Sequence, residues 1–137
     1  MSVTQLTVFL ENRSGRLAEV ADTLGAAGIN IRGFSTTEAA EYGIVRLIVD
    51  DPERGRSLLH KAGFTVQLSR VVCVAVTDAP GGLARVLDEL ADQGISVDYL
   101  YSIASQNICF AVRDIERATE LLKDKVRLLS DDEVRAL

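Results

Sequence analysis

Two short segments of this chain hold the residue types best suited to capturing a small zwitterion. One is Glu11-Asn12-Arg13-Ser14-Gly15-Arg16-Leu17 and the other is Thr77-Asp78-Ala79-Pro80-Gly81-Gly82-Leu83. Each places Asn or Asp first, then a turn former, then Gly, immediately ahead of apolar residues at helical spacing. The first N–H groups of a helix have no partner inside it and carry partial positive charge. That end can receive a carboxylate. Gly15 and Gly81 let the backbone come close to a ligand, and the side-chain oxygen of Asn12 or Asp78 can accept hydrogen bonds from an ammonium group. Carboxylate and ammonium receptors side by side fit the constant part of an amino acid. The same residues also suit a plain turn and helix cap, and duplication of a structural turn would repeat them equally well.

The elements that position these loops come from a repeat, which decides the architecture. Residues 15–31 and 81–97 align without a gap, 66 positions apart, and are identical at eight of 17 positions. Leu6, Val8 and Leu10 fall on Val72, Val74 and Val76. Past residue 97 the alignment drops to 64 positions, Ile44 on Ile108 and Asp50 on Asp114, which makes the second copy two residues shorter in a hairpin. Each copy opens with an alternating strand, Val3–Leu10 or Val71–Thr77. The loop follows, then a helix whose stripe is Leu17, Val20, Ala21, Leu24 and Ala27, or Leu83, Val86, Leu87 and Leu90. Gly28 and Gly94 end those helices. Strands follow at Ile29–Thr37 and Ile44–Val49, or Ile95–Ala104 and Ile108–Val112. A second helix starts at Asp51-Pro52 or at Asp114. The last strands are Phe64–Ser69 and Val126–Leu129, and Asp131–Leu137 forms a short helical tail. The order is βαββαβ twice, an α+β fold of two ferredoxin-like units. Their antiparallel sheets carry the helices on one face, with domains at 1–70 and 71–137 and too short a linker at Ser69–Val71 for independent tumbling.

Composition narrows the function. Hydrophobic residues make up 47% and charged residues 26% of the 137, a globular balance. The net charge of −5 and the lack of a basic face argue against nucleic acid. No apolar run reaches the length of a membrane span. The first residues begin a strand pattern with no basic leader, which argues against export and for the cytoplasm. Cys73 and Cys109, on neighbouring strands, read as small apolar filler in a reducing compartment rather than as a disulfide. The one histidine, His60, has no catalytic or metal partners and reads as a solvated helix residue. Tyr99 and Tyr101 share a strand face and read as packing. The charged stretches at 51–56 and 131–133 read as solvated helix starts.

The pattern Asn12-x-x-Gly15-x-Leu17 with Gly28-Ile29-Asn30-Ile31 recurs as Asp78-x-Pro80-Gly81-Gly82-Leu83 with Gly94-Ile95-Ser96-Val97. It resembles the ACT domain family, here as a tandem pair with no catalytic domain attached. Residues 28–38 also resemble the second-strand region of aspartate kinase regulatory domains. The resemblance implies an amino-acid sensor whose ligand lies between domains, with the strand-to-helix loop of one facing the second strand of its neighbour. The residues it points to are Asn12, Ser14, Gly15, Arg16 and Leu17, with Asp78, Pro80, Gly81, Gly82 and Leu83. From the second strands come Asn30, Ile31, Ser96 and Val97. Copy one departs from the family's Pro-Gly by having Ser14-Gly15 and the charged Arg16, so the two sites need not be equivalent.

Three functions compete. One is a regulatory sensor of a free amino acid, without cofactor or metal, acting as a homodimer and on a metabolic enzyme. The second is a ligand-free interaction module or regulatory subunit of an amino-acid biosynthetic enzyme. The third is an enzyme, for which the sequence offers no matched nucleophile and base, no phosphate loop and no metal cluster.

Overall fold

Alternating Val, Leu and Ile in the strands meet the 3.6-residue stripes of the helices, and this pairing shapes each copy. The structure is a computed structural model that describes residues 1–11, 13–38 and 42–137. The chain divides into two units: Thr4–Ser69, copy one, and Arg70–Leu137 with Met1–Val3, copy two. The elements in order are β1 (Val3–Glu11), α1 (Arg16–Ala26), β2 (Ile31–Glu38), β3 (Tyr42–Val49), α2 (Pro52–Lys61), β4 (Thr65–Ala75), α3 (Gly82–Asp92), β5 (Val97–Ile103), β6 (Asn107–Val112), α4 (Ile115–Leu122) and α5 (Asp131–Arg135).

In copy one, β3 lies between β1 and β2, antiparallel to both. The Thr7 and Ser69 hydroxyls are 3.0 Å apart, so the start of β4 runs beside β1. Leu6 and Val8 of β1, with Val45, Leu47 and Val49 of β3, pack against Val20 and Leu24 of α1 and Leu59 of α2. In copy two, β6 lies between β4 and β5, again antiparallel. Val72, Val74, Ile108 and Phe110 pack against Val86 and Leu90 of α3 and Leu122 of α4. Burying one such Leu contributes about 1.5–3 kcal/mol. The helix ends follow the residues expected of them. Asp51 and Asp114 accept from the amides of Arg54 and Arg117. At Gly28 and Gly94 the chain leaves α1 and α3 with paired reverse bonds, Ile29 to Leu24 and Ile95 to Leu90.

Four expectations need correction. The last strand of copy one and the first of copy two are a single strand, β4, which runs through Ser69–Val71 and stops at Ala75. The closing strand Val126–Leu129 shrinks to one bridge between Leu128 and Val74. The third-strand alignment is off by one residue. Val8 pairs with Val45 and Val74 with Ile108, so the copies are 63 positions apart there, not 64, and copy two is three residues shorter. A one-residue slip exchanges the faces of a strand, and burial settled what sequence identity could not.

The fourth correction concerns the cysteines. Cys73 and Cys109 face each other across β4 and β6, with Cα atoms 4.2 Å apart, and form a disulfide rather than remaining unpaired filler. Their pairing followed from the registry of two strands, and spacing in sequence carried no sign of it. Tyr99 and Tyr101 stack with ring centres 6.5 Å apart, and His60 is exposed. Among the described residues no helix is long and apolar enough to cross a membrane.

Candidate functional site

Each copy has a cavity where its first strand ends, its first helix begins and its central hairpin turns back. The local backbone is the same in both. Gly15 and Gly81 cap α1 and α3 at φ 88° and 83°, a left-handed conformation that costs an L-residue about 1–2 kcal/mol. No atom lies within 4 Å of where a Cβ would sit at either position, so conformation, and not contact, calls for glycine there. The close approach falls one residue later, at Gly82, where a Cβ would collide with the carbonyl oxygen of Thr77.

The side chains around the two cavities differ. In copy two the cavity is about 550 Å³ and is lined by Val76, Thr77, Asp78, Ala79, Pro80, Leu83, Ser102, Gln106, Asn107 and Ile108. That is room for an amino acid, in the range of small-molecule pockets. Its walls are mostly apolar, and among the described residues the one acidic side chain lining it is Asp78. Gln106 Nε2 donates to Asp78 Oδ2 at 3.3 Å. A carboxylate has about four acceptor sites, so the Asp78 group retains capacity for an ammonium donor. Asn107 is buried, and its Nδ2 donates to the Ala104 carbonyl at 2.8 Å. The hairpin turn that carries Gln106 has two consecutive left-handed residues, Ser105 at φ 62° and Gln106 at φ 59°, and neither is glycine. A tight hairpin turn requires such positive φ values at its tip.

In copy one the counterpart is about 210 Å³ and is lined, among the described residues, by Leu10, Glu11, Arg13, Arg16, Leu17, Thr36, Thr37, Gly43 and Ile44. The Arg13 guanidinium pairs with Glu11 at 3.2 Å. Arg16 is folded inward with its guanidinium carbon 4.0 Å above the Phe64 ring and its Nη1 2.7 Å from Glu19. Its Nε is buried without a hydrogen-bond partner. Copy two has Gly82 at the position of Arg16. It has a separate cleft beside α3 instead, about 280 Å³, to which Gly82, Arg85, Lys125 and Arg127 contribute.

The structure therefore brings Asp78, Pro80 and Leu83 to one cavity and Arg16 and Leu17 to its counterpart. Leu17 and Leu83 open their helical stripes but are 49% and 42% exposed, because they form cavity rims rather than core. Ser14 is exposed beside its cavity, and Asn12 lies outside the described residues. Of the named second-strand residues, Ile31 meets the loop residue Leu17 of its own copy, and the others lie elsewhere. At the far end of α1, the Asn30 amide donates to the Asp50 side-chain carboxylate and the Asp50 amide donates to the Asn30 carbonyl. Ile31 shares an apolar cleft of about 170 Å³ with Leu17 and Phe34. Ser96 lines another cavity with Asp98, Arg113 and Arg117, and Val97 pairs with Val112 and packs on the core. Sequence reasoning missed Ser102, Gln106 and Asn107. The shortened hairpin of copy two was the available signal for them, since a tighter turn draws its side chains back over the loop.

Among the described residues no group of His, Cys, Asp and Glu could hold a metal ion. Residues 1–137 match the family model described as an ACT domain pair. The solved structure of protein BT0572 from Bacteroides thetaiotaomicron is 36% identical, with a TM-score of 0.93, over 100% of this chain and 98% of that one. The regulatory subunit of aspartate kinase from Thermus thermophilus, in a ligand-free form, shares the fold at 16% identity and a TM-score of 0.65, over 88% and 87% of the two chains. The regulatory subunit of aspartate kinase from Thermus flavus does so at 15% and 0.61, over 88% of each. No curated protein matches the chain in sequence.

Proposed function

Because this chain belongs to the ACT domain family, as an ACT domain pair across residues 1–137, we propose that it is a regulatory amino-acid sensor rather than an enzyme. The observation that carries this reading is the copy-two cavity. It has the volume for an amino acid, one carboxylate for the ammonium group, and the open end of α3 for the carboxylate. The residues we assign to the site are Asp78, Pro80 and Leu83 of the loop, with Ser102, Gln106 and Asn107 of the hairpin, and Gly81 forms the turn into α3 beside them. The domains acting in the pair are 1–70 and 71–137. Binding that favours one conformation shifts its population, and the sensor transmits that shift to what it holds. We place it in the cytoplasm as a homodimer acting on a metabolic enzyme. The solved relatives that share its fold include regulatory subunits of aspartate kinase. No cofactor, nucleic acid or membrane enters this reading.

A thermal-shift screen of the twenty amino acids at millimolar concentration tests it. A ligand at 100 times its dissociation constant adds about 2.7 kcal/mol to native stability, enough to raise the midpoint by several degrees. A shift that disappears in Asp78→Ala is the expected result. A flat screen favours the interaction module, with no ligand at all.

A further inference from the structure

The lining of the copy-two cavity narrows the ligand class. Starting from the proposed amino-acid site, we infer that copy two alone takes the ligand, and that the ligand's side chain is uncharged and mainly apolar. Val76, Ala79, Pro80, Leu83 and Ile108 supply the apolar walls. Among the described residues no Lys, Arg or His lines this cavity, so a side-chain carboxylate would enter without a counter-charge and next to Asp78. A side-chain ammonium or guanidinium would compete with the ligand's own ammonium for Asp78, the one acid present. A charge held against such walls gives up part of its hydration without gaining a partner, whereas methyl and methylene groups gain by leaving water. Ser102, Gln106 and Asn107 are neutral and can accept or donate without selecting a charged partner.

The corresponding positions of copy one show what has been removed. Thr77 stands for Glu11, Asp78 for Asn12, Ala79 for Arg13 and Pro80 for Ser14, so the acid moves by one position and a base is absent, and the cavity is about 550 rather than about 210 Å³. In copy one the protein's own Arg13–Glu11 pair stands at the cavity, while the inward Arg16 fills the place where copy two, with Gly82, has its separate cleft.

Isothermal titration of the full chain with L-valine, L-leucine, L-methionine and L-threonine, against L-aspartate, L-glutamate, L-lysine and L-arginine, tests the inference. At least one neutral amino acid should bind at one molecule per chain, tenfold or more tighter than any charged one. Leu83 is a half-exposed rim residue, so Leu83→Arg should fold, weaken the neutral ligand tenfold or more and bring aspartate or glutamate into measurable range. Equal or tighter binding of a charged amino acid to the unmodified chain overturns the side-chain class and leaves the sensor reading intact. Two molecules per chain, or neutral binding untouched by Leu83→Arg, overturns the assignment to copy two. Binding of none of the eight, together with a flat response to all twenty, sinks the sensor reading and this inference with it.

Discussion

The two copies keep one cavity in one place and furnish it in opposite ways. Copy one crowds its cavity with Glu11, Arg13 and Arg16, and stacks the last of these on Phe64. Copy two has Thr77, Ala79 and Gly82 at those positions and a cavity more than twice as large. The backbone solution is shared, with Gly15 and Gly81 within a few degrees of each other in φ. A duplicated scaffold thus conserves the costly part, the left-handed turn into the helix. Side chains then decide whether the space beyond it is filled by the protein or left open.

The largest expected difference between the copies lies in the sheet. Cys73 and Cys109 of copy two are covalently joined across 36 positions, whereas copy one has Thr7 opposite Arg46 at that register. Reduction, or the double change Cys73→Ala with Cys109→Ala, should cost about 2–4 kcal/mol of stability through the freed loop entropy of the unfolded chain. Urea titration with and without reductant measures the loss, and thiol counting in denaturant before reduction should find none. Two free thiols in the purified protein would remove this asymmetry between the copies.

The next effect concerns the helix starts. Gly82→Ala should destabilise by about 1–3 kcal/mol, because the added methyl group meets the Thr77 carbonyl, which is backbone and cannot turn aside. Arg16→Ala tests the same position in copy one. It removes the contact over Phe64 and the pair with Glu19, and should cost about 1 kcal/mol. Chemical denaturation of both variants sharpens the comparison. A neutral Gly82→Ala would mean that the two helix starts are alike.

The smallest effect belongs to α5, which follows copy two only. The Ser130 amide donates to Glu133, and with the Ser130 hydroxyl and Arg127 it holds the Glu133 carboxyl below the ordinary glutamate range. A carboxylate lowered in the native state contributes its stability above the ordinary value. That contribution is lost as pH falls through the lowered native value. Glu133→Gln should therefore lower Tm slightly at neutral pH and not at all in strong acid. An equal drop at both pH values would show that charge has no part in it.

Much of this was legible in the sequence. The 17-residue repeat placed both loops and both first helices, and Asp51 and Asp114 announced their caps. The site was legible only in part. Asp78, Pro80 and Leu83 stood out because they stand at the start of a helix, but Gln106 and Asn107 reach the cavity through a three-residue shortening that sequence identity understated. The Cys73–Cys109 pairing depended on strand register, which neither residue reveals alone. The place of Arg16 over Phe64 depends on a ring 48 positions away that no local pattern relates to it.

The central claim is that the copy-two cavity, and not its counterpart, receives an amino acid. The most direct measurement is an amide correlation NMR spectrum of the full chain, titrated with the neutral amino acid that binds tightest. The account predicts saturable shifts confined chiefly to residues 76–84 and 102–108, with 10–17 unmoved. Shifts centred on residues 10–17, or none in either loop while the ligand binds, would contradict it.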